Sequence, residues 1–312
     1  MSTPVKIGTR ESRLAIWQAT EVQKLLSANG QHAELVYIKS DGDLDLTTPL
    51  YEIGVQGIFT KNLDAALLNN RIDIAVHSMK DVPTQLSKGI VQAAVLKRGP
   101  VNDLLVMKHG KEFLNDENYV AHVATSSIRR RAQWLHKYPK HQMHNLRGNM
   151  QTRLQKLYRE KWDGAIFALA GLERIDLRPE NSIELTWMLP APAQGAIMIA
   201  ARDNDIVILE SCKKINDSET ELCTRIERSF LRGLLGGCST PVSAYAHIAQ
   251  NKIHFKGNIF SPDGSKKVEI ERTVPVEENE ELGKICAEEV LANGGREINL
   301  MIREQMKKIP TA

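Results

Sequence analysis

Short apolar runs of strand length alternate with stretches of helical period through the first two thirds of the chain. No other feature restricts the fold as much. Positions 5–8, 34–39, 72–77 and 90–96 read as strands. Leu14, Ile16, Trp17, Val22, Leu25 and Leu26 fall roughly on one side of a helix, and 61–69 reads as a second helix. The pattern restarts with strands at 103–107, 120–124, 143–146 and 164–170, and helices at 128–138 and 149–160. This alternation predicts an α/β fold with helices on largely parallel sheets. Lys97-Arg98-Gly99-Pro100 and Pro190-Ala191-Pro192 interrupt it and read as two crossovers, because proline limits helix continuation. Past the second, an apolar strand at 196–201 is placed to return to the first sheet, followed by a short helix at 205–213.

The order changes near Ser218. Ser218-Glu219-Thr220-Glu221 has capping-box spacing before a helix. Three consecutive strands follow at 242–248, 253–260 and 267–273, with Asn251 and Pro262-Asp263-Gly264 as turn residues. Helical patterns close the chain from 278, so a separate α+β domain is expected. The polar, glycine-containing stretch 40–60 is long for a connection and reads as a flexible lid.

Composition excludes more than it names. With 42% hydrophobic and 25% charged residues the chain can bury a core. A net charge of +3 is too small for bulk electrostatics to indicate a nucleic acid, so an anion site must come from local clustering. No apolar run reaches about 18 residues, which predicts no membrane span. The start of the sequence lacks the pattern of a signal peptide. Four cysteines without a C-x-x-C pair argue against a zinc or thioredoxin-type site and for a reducing, cytoplasmic setting. Neither a P-loop nor G-x-G-x-x-G is present. His136, His141 and His144 form no convincing metal set and read as surface residues, so no metal is expected.

Four segments have the makings of a site. Ser78, Lys80 and Asp81 follow the buried run 72–77, and ligands usually bind at such strand ends. Thr125, Ser126 and Ser127 precede a helix that opens with Arg129, Arg130 and Arg131. Hydroxyls and free N–H groups at a helix start suit an anion, as they suit plain capping. Three consecutive arginines cannot share one helix face, so one is solvated. Arg147, Gly148 and Arg153 repeat the strand–turn–helix arrangement, as do Arg10 and Ser12. This recurrence points to one small polyanion between two lobes. Aromatic residues make up only 5% of the chain and these turns offer no stacking platform, which disfavours nucleic acid. Last, Gly236-Gly237-Cys238 puts a thiol in a turn, where it is either inert or a nucleophile activated by the arginine turns.

Taken in order, these segments resemble the porphobilinogen deaminase (hydroxymethylbilane synthase) family over nearly the whole chain. The likeness rests on Gly8-Thr9-Arg10-Glu11-Ser12, Ala75-Val76-His77-Ser78-Met79-Lys80-Asp81-Val82-Pro83 and Ala124-Thr125-Ser126-Ser127-Ile128-Arg129-Arg130. It continues through Leu146-Arg147-Gly148-Asn149, Thr152-Arg153-Leu154, Ala168-Leu169-Ala170-Gly171-Leu172, Gln194-Gly195-Ala196 and Gly236-Gly237-Cys238.

The resemblance implies two lobes like those of periplasmic binding proteins and transferrins, plus a small C-terminal α+β domain. The expected boundaries are 1–97 with 196–214, 101–191, and 217–312. It implies a cytoplasmic transferase of tetrapyrrole, porphyrin and heme biosynthesis that condenses four porphobilinogen molecules with loss of ammonia. The chain would grow on a dipyrromethane cofactor attached to Cys238 and leave by hydrolysis. Asp81 matches the catalytic aspartate, with Lys80 beside it. Ser78, Lys80, Asp81, Thr125, Ser126, Ser127, Arg129, Arg130, Arg147, Gly148, Arg153, Ala168 and Gly171 match cofactor-site positions. Arg10, Ser12, Arg147, Arg153, Arg174 and Gln194 match substrate-site positions. The implied partners are porphobilinogen and the growing polypyrrole, with no nucleic acid or membrane, and the expected state is a monomer. One stretch departs from the family: Glu52 and Gln56 stand where lysines are usual, and Asp41 where a basic residue is usual.

Overall fold

The computed structural model describes residues 3–39, 60–234 and 240–307. These form two α/β lobes and a smaller C-terminal α+β domain, each built on its own sheet. In the first lobe β1 (Val5–Thr9) leads through α1 (Arg13–Ala28) to β2 (Ala33–Tyr37). Then come α2 (Lys61–Leu68), β3 (Ile74–Ser78) and β4 (Ile90–Val95). Ser12 starts α1 by accepting the Ala15 backbone N–H at 3.3 Å. The helix buries Ala15, Ala19, Val22 and Leu26, the three-and-four spacing of one face.

The chain then crosses and builds a second lobe. It contains β5 (Asp103–Met107), β6 (His122–Ala124), α3 (Ile128–Lys137), β7 (Gln142–His144) and α4 (Met150–Arg159). β8 (Gly164–Ala168), α5 (Leu169–Glu173) and β9 (Ser182–Glu184) complete it. A second crossing returns the chain as β10 (Ile197–Arg202) and α6 (Ile206–Lys213).

The sheet orders are β2-β1-β3-β10-β4 and β7-β6-β8-β5-β9, one topology used twice. In each, the strand arriving from a crossover is antiparallel to both its neighbours. The other pairs are parallel, as the alternation predicts. The sequence gives no sign of β9, because three residues are too few to show a period. The expected strand 164–170 stops at Ala168, where Leu169 opens α5.

The two crossovers touch. Gly99 N–H donates to Gly195 O at 3.1 Å. Gly195 has φ +86°, and a Cβ there would lie 2.7 Å from Gly99 O and 2.8 Å from Pro100 O. Both the turn and the close approach require glycine.

The C-terminal domain packs α7 (Ser218–Gly233) and α8 (Leu282–Val290) on an antiparallel meander of β11 (Val242–Ala249), β12 (Lys252–Phe260) and β13 (Lys267–Pro275). α9 (Arg296–Lys307) follows, and Ile226, Phe230, Phe255, Ile259 and Cys286 form the centre of its core. The cap of α7 is Asp217 rather than the expected Ser218: its carboxylate accepts Thr220 N–H at 2.8 Å, leaving Ser218 as the first helical residue. Among the described residues no helix is long and apolar enough to cross a membrane. The expected lid, with Asp41, Glu52 and Gln56, and the expected cofactor anchor Cys238 fall almost wholly (40–59) or wholly (235–239) outside the described residues.

Candidate active site

β3 is buried along Ile74, Ala75, Val76 and His77 because α1 packs on one side and α2 on the other. Its end therefore emerges between the lobes. Ser78 is held there by Gln18 Nε2 at 2.8 Å, and a single helical turn, Met79–Asp81, follows. Arg10, Ser12, Gln18, His77, Ser78 and Asp81 line a pocket of about 80 Å³. Four of these were expected from sequence; Gln18 and His77 were not. Asp81 is exposed. His77 is buried, and burial, with Arg10 nearby, pushes its imidazole down to about 4, so it is neutral at physiological pH.

Lys80 joins a buried network that spans both lobes. Its Nζ donates to Gln194 Oε1 at 3.2 Å. Gln194 Nε2 donates to Asp103 Oδ1 at 2.9 Å and to Val101 O at 2.7 Å. Asp103 also receives Arg129 Nη2 at 2.6 Å and Arg130 Nε at 3.0 Å. Burial alone would raise the Asp103 carboxyl, but the two arginines outweigh it and hold it down to about 2. Burial and then Arg130 push the Lys80 ammonium down to about 8, against the pull of Asp81 and Asp103.

Arg129 and Arg130 were expected to meet a ligand's carboxylates, yet both are engaged by a carboxylate of the chain itself. Arg129 Nη1 also donates to Leu189 O, and Arg130 Nη1 to Ile166 O. Arg129 Nε is buried without a hydrogen-bond partner among the described residues. Arg131 is the solvated one. Asp103 carried no motif. Its signal was a charge opening the otherwise apolar strand β5, which burial obliges to pair.

The hydroxyls of the β6–α3 turn shape the turn itself. Ser127 Oγ accepts Arg130 N–H at 3.4 Å, and Thr125 Oγ1 accepts Ser127 N–H at 3.2 Å. Ser126 Oγ donates to Leu146 O and accepts Leu146 N–H at 3.0 Å, tying this turn to the one bearing Arg147. Gly148 has φ +112°, and its carbonyl accepts Arg153 Nε at 2.7 Å. Burial, Arg130, Arg147 and Arg10 together push the Arg153 guanidinium down to about 10, with Asp81 opposing. Guanidiniums from both lobes thus crowd one region beside Asp81. That donor set fits a polyanionic group, which would relieve the mutual repulsion.

Ala168 ends β8, and a Cβ at Gly171 would lie 2.7 Å from Met150 and 3.7 Å from Leu14 of the other lobe. Arg174 stands apart from the pocket. Its Nη2 donates to Gly195 O at 2.6 Å, and its guanidinium lies 5.5 Å from the Trp17 ring centroid. With Lys97 and Trp17 it lines a cavity of about 410 Å³ beside the first crossover. His141 is buried, not a surface residue, and accepts Trp134 Nε1–H at 3.2 Å. Among the described residues no cluster suits a metal ion. Cys212, Cys223 and Cys286 are free and buried, and burial raises all three thiols, Cys212 and Cys223 to about 12. None is poised as a thiolate nucleophile.

The family described as "Porphobilinogen deaminase, dipyromethane cofactor binding domain" matches residues 5–210, and "Porphobilinogen deaminase, C-terminal domain" matches residues 221–292. Among similar proteins, the porphobilinogen deaminase of Campylobacter curvus (strain 525.92) is 39% identical over 300 residues, covering 94% of this chain and 96% of its own. That of Chloroherpeton thalassium (strain ATCC 35110 / GB-78) is 39% identical over 311 residues, covering 97% and 99%. The chloroplastic porphobilinogen deaminase of Oryza sativa subsp. japonica is 41% identical over 302 residues, covering 93% and 84%.

Proposed function

The chain belongs to the porphobilinogen deaminase family, and on that premise we propose that it is a transferase joining four porphobilinogen molecules head to tail with release of ammonia. The observation that carries this reading is the set of guanidiniums, Arg10 from one lobe and Arg147 and Arg153 from the other, with Arg130 held behind them on Asp103, beside the exposed carboxylate of Asp81. Porphobilinogen carries acetate and propionate groups, so each addition brings more negative charge. Bidentate guanidinium–carboxylate pairing suits those groups better than lysine would.

In this mechanism Asp81 accepts the pyrrole N–H of the bound porphobilinogen. As the aminomethyl nitrogen leaves, the same carboxylate stabilises the azafulvene cation that forms. The aminomethyl group leaves from its ammonium form as ammonia, taking the C–N electron pair, and the carboxylate receives the proton lost when the new carbon–carbon bond rearomatises the ring and passes it to water. Ser78 and Gln18 fix the strand end behind it, and neutral His77 adds no second positive charge to the pocket. Lys80, Arg129 and Arg130 are oriented from behind by Gln194 and Asp103.

A dipyrromethane fits the same donor set, and when bound it supplies the pyrrole carbon from which the product grows. Cys238 would hold it by a thioether, with Ser78, Lys80, Thr125, Ser127 and Arg147 facing its carboxylates. We further propose domain limits of 1–97 with 196–214, 101–191, and 217–312, supported by the three separate sheets and the contact of the crossovers at Gly99 and Gly195. A monomer acting in the cytoplasm completes the proposal.

Intact mass of the purified protein, before and after adding porphobilinogen, tests it. An excess equal to two linked pyrroles on wild type but not on Cys238→Ala, followed by single-pyrrole steps, is expected. No adduct under either condition, in folded and reduced protein, would refute the proposal.

A further inference from the structure

Arg228 of α7 belongs to the C-terminal domain, but its guanidinium donates into the first lobe. Nη1 lies 2.9 Å from Val82 O and 3.3 Å from Met79 O, and Nη2 lies 2.5 Å from Pro83 O. These three carbonyls surround the turn that carries Lys80 and Asp81. Among the described residues, two backbone hydrogen bonds also hold the turn. Met79 N–H is anchored to Ala196 O at 3.0 Å, and Val82 N–H closes the turn on Met79 O at 3.2 Å. Pro83 has no N–H to give. Asp81 itself is exposed, so its carboxylate is only as well placed as the backbone beneath it.

The position of Arg228 is fixed by its neighbour. Glu227 is fully buried and receives Arg98, Ala193 N–H and Ala246 N–H, which locks α7 against both crossovers and its own sheet. Charge-assisted bonds from a side chain on so firmly seated a helix are strong and well directed.

We propose that Arg228 is a positioning residue for the reaction, setting the turn so that the Asp81 carboxylate meets the pyrrole N–H. The proposal rests on the reading of Asp81 as the reacting carboxylate. Displacing a reacting group by about 1 Å costs roughly a hundredfold in rate, while binding by the arginines on the opposite lobe is untouched.

The test uses the cofactor-loaded full chain and four forms: wild type, Arg228→Met, Asp81→Glu, and the double variant. Arg228→Met is expected to lower kcat by about tenfold to a hundredfold with KM changed less than about twofold. In the Asp81→Glu background the same change is expected to cost little more, because the carboxylate is already displaced. Backbone amide exchange should rise at residues 79–82 (Pro83 has no amide hydrogen) more than elsewhere in the first lobe. Wild-type kcat in folded Arg228→Met overturns the proposal; so does a change in KM alone, or an equal loss in the Asp81→Glu background. If Asp81→Glu itself turns over like wild type, the reading of Asp81 fails, and the proposal with it, whatever Arg228 does. Should Arg228→Met not fold, Arg228→Lys carries the same comparisons, since a single ammonium does not reproduce the two-nitrogen planar fork of the guanidinium.

Discussion

Glu227 accepts both terminal nitrogens of Arg98, at 2.6 and 3.0 Å, and its side chain has no exposed surface. The pair bolts the C-terminal domain to the first crossover. The same carboxylate takes Ala193 N–H from the second crossover at 2.6 Å. One buried anion therefore joins both crossovers to the C-terminal domain.

Glu227→Ala leaves the Arg98 guanidinium buried without its carboxylate. A loss of about 3–5 kcal/mol is expected, because breaking a buried pair strands a charge. Urea unfolding of wild type and variant measures it. A loss below about 1 kcal/mol, the range of a surface pair, would contradict the assignment.

Asp103 predicts acid sensitivity. Its folded pKa is depressed from 3.8 to about 2, so its contribution is present above about pH 4 and lost as pH falls toward 2. The contribution is about 2 kcal/mol. Asp103→Asn should be less stable than wild type near neutrality, and the gap should narrow across that acid window. A gap that stays constant would show that the charge of Asp103 is not what Arg129 and Arg130 require.

Lys80, lowered to about 8 by burial and by Arg130, predicts the opposite flank. Its charge in the free enzyme is lost as pH rises through about 8. kcat/KM, which reports the free enzyme, should fall there. Lys80→Arg should carry the plateau to higher pH, since a guanidinium keeps its proton. Folding stability moves the other way: the unfolded chain holds the proton longer, so stability rises between about 8 and 10.5. Identical pH–rate profiles for both proteins would remove Lys80 from carboxylate binding.

Asp81→Asn should fold normally, because the side chain is exposed and supports no core contact. Turnover should fall by about a hundredfold or more, the usual scale for removing a positioned acid–base group. Thermal unfolding and steady-state assay of the same preparation separate the two effects. Wild-type turnover would refute the role given to Asp81.

Much of this architecture was legible in the residues. The β–α alternation, the proline and glycine crossovers, and the change of pattern near Ser218 are local signals, and local periodicity reports which face a segment buries. Ser12, Ser127 and Asn149 stand before helices and cap them, because a short polar side chain satisfies the free N–H groups wherever a helix begins. The residues gathered around Asp81 were likewise visible as strand-end motifs.

What tertiary structure alone decided is which charges meet. Arg129 and Arg130 read as ligand-binding arginines, and nothing nearby in sequence announces the carboxylate 26 and 27 positions away that pairs with them. Glu227 lies on the same buried face of α7 as Cys223, Ile226 and Phe230, and nothing nearby in sequence announces Arg98, 129 positions earlier. Arg174 matched the site by motif, and only the fold brings it over Trp17 at the crossover. A helix or a turn is specified by neighbours a few residues away. A buried ion pair is specified by desolvation, which penalises any unmatched charge and is set only once the sheets have closed around it.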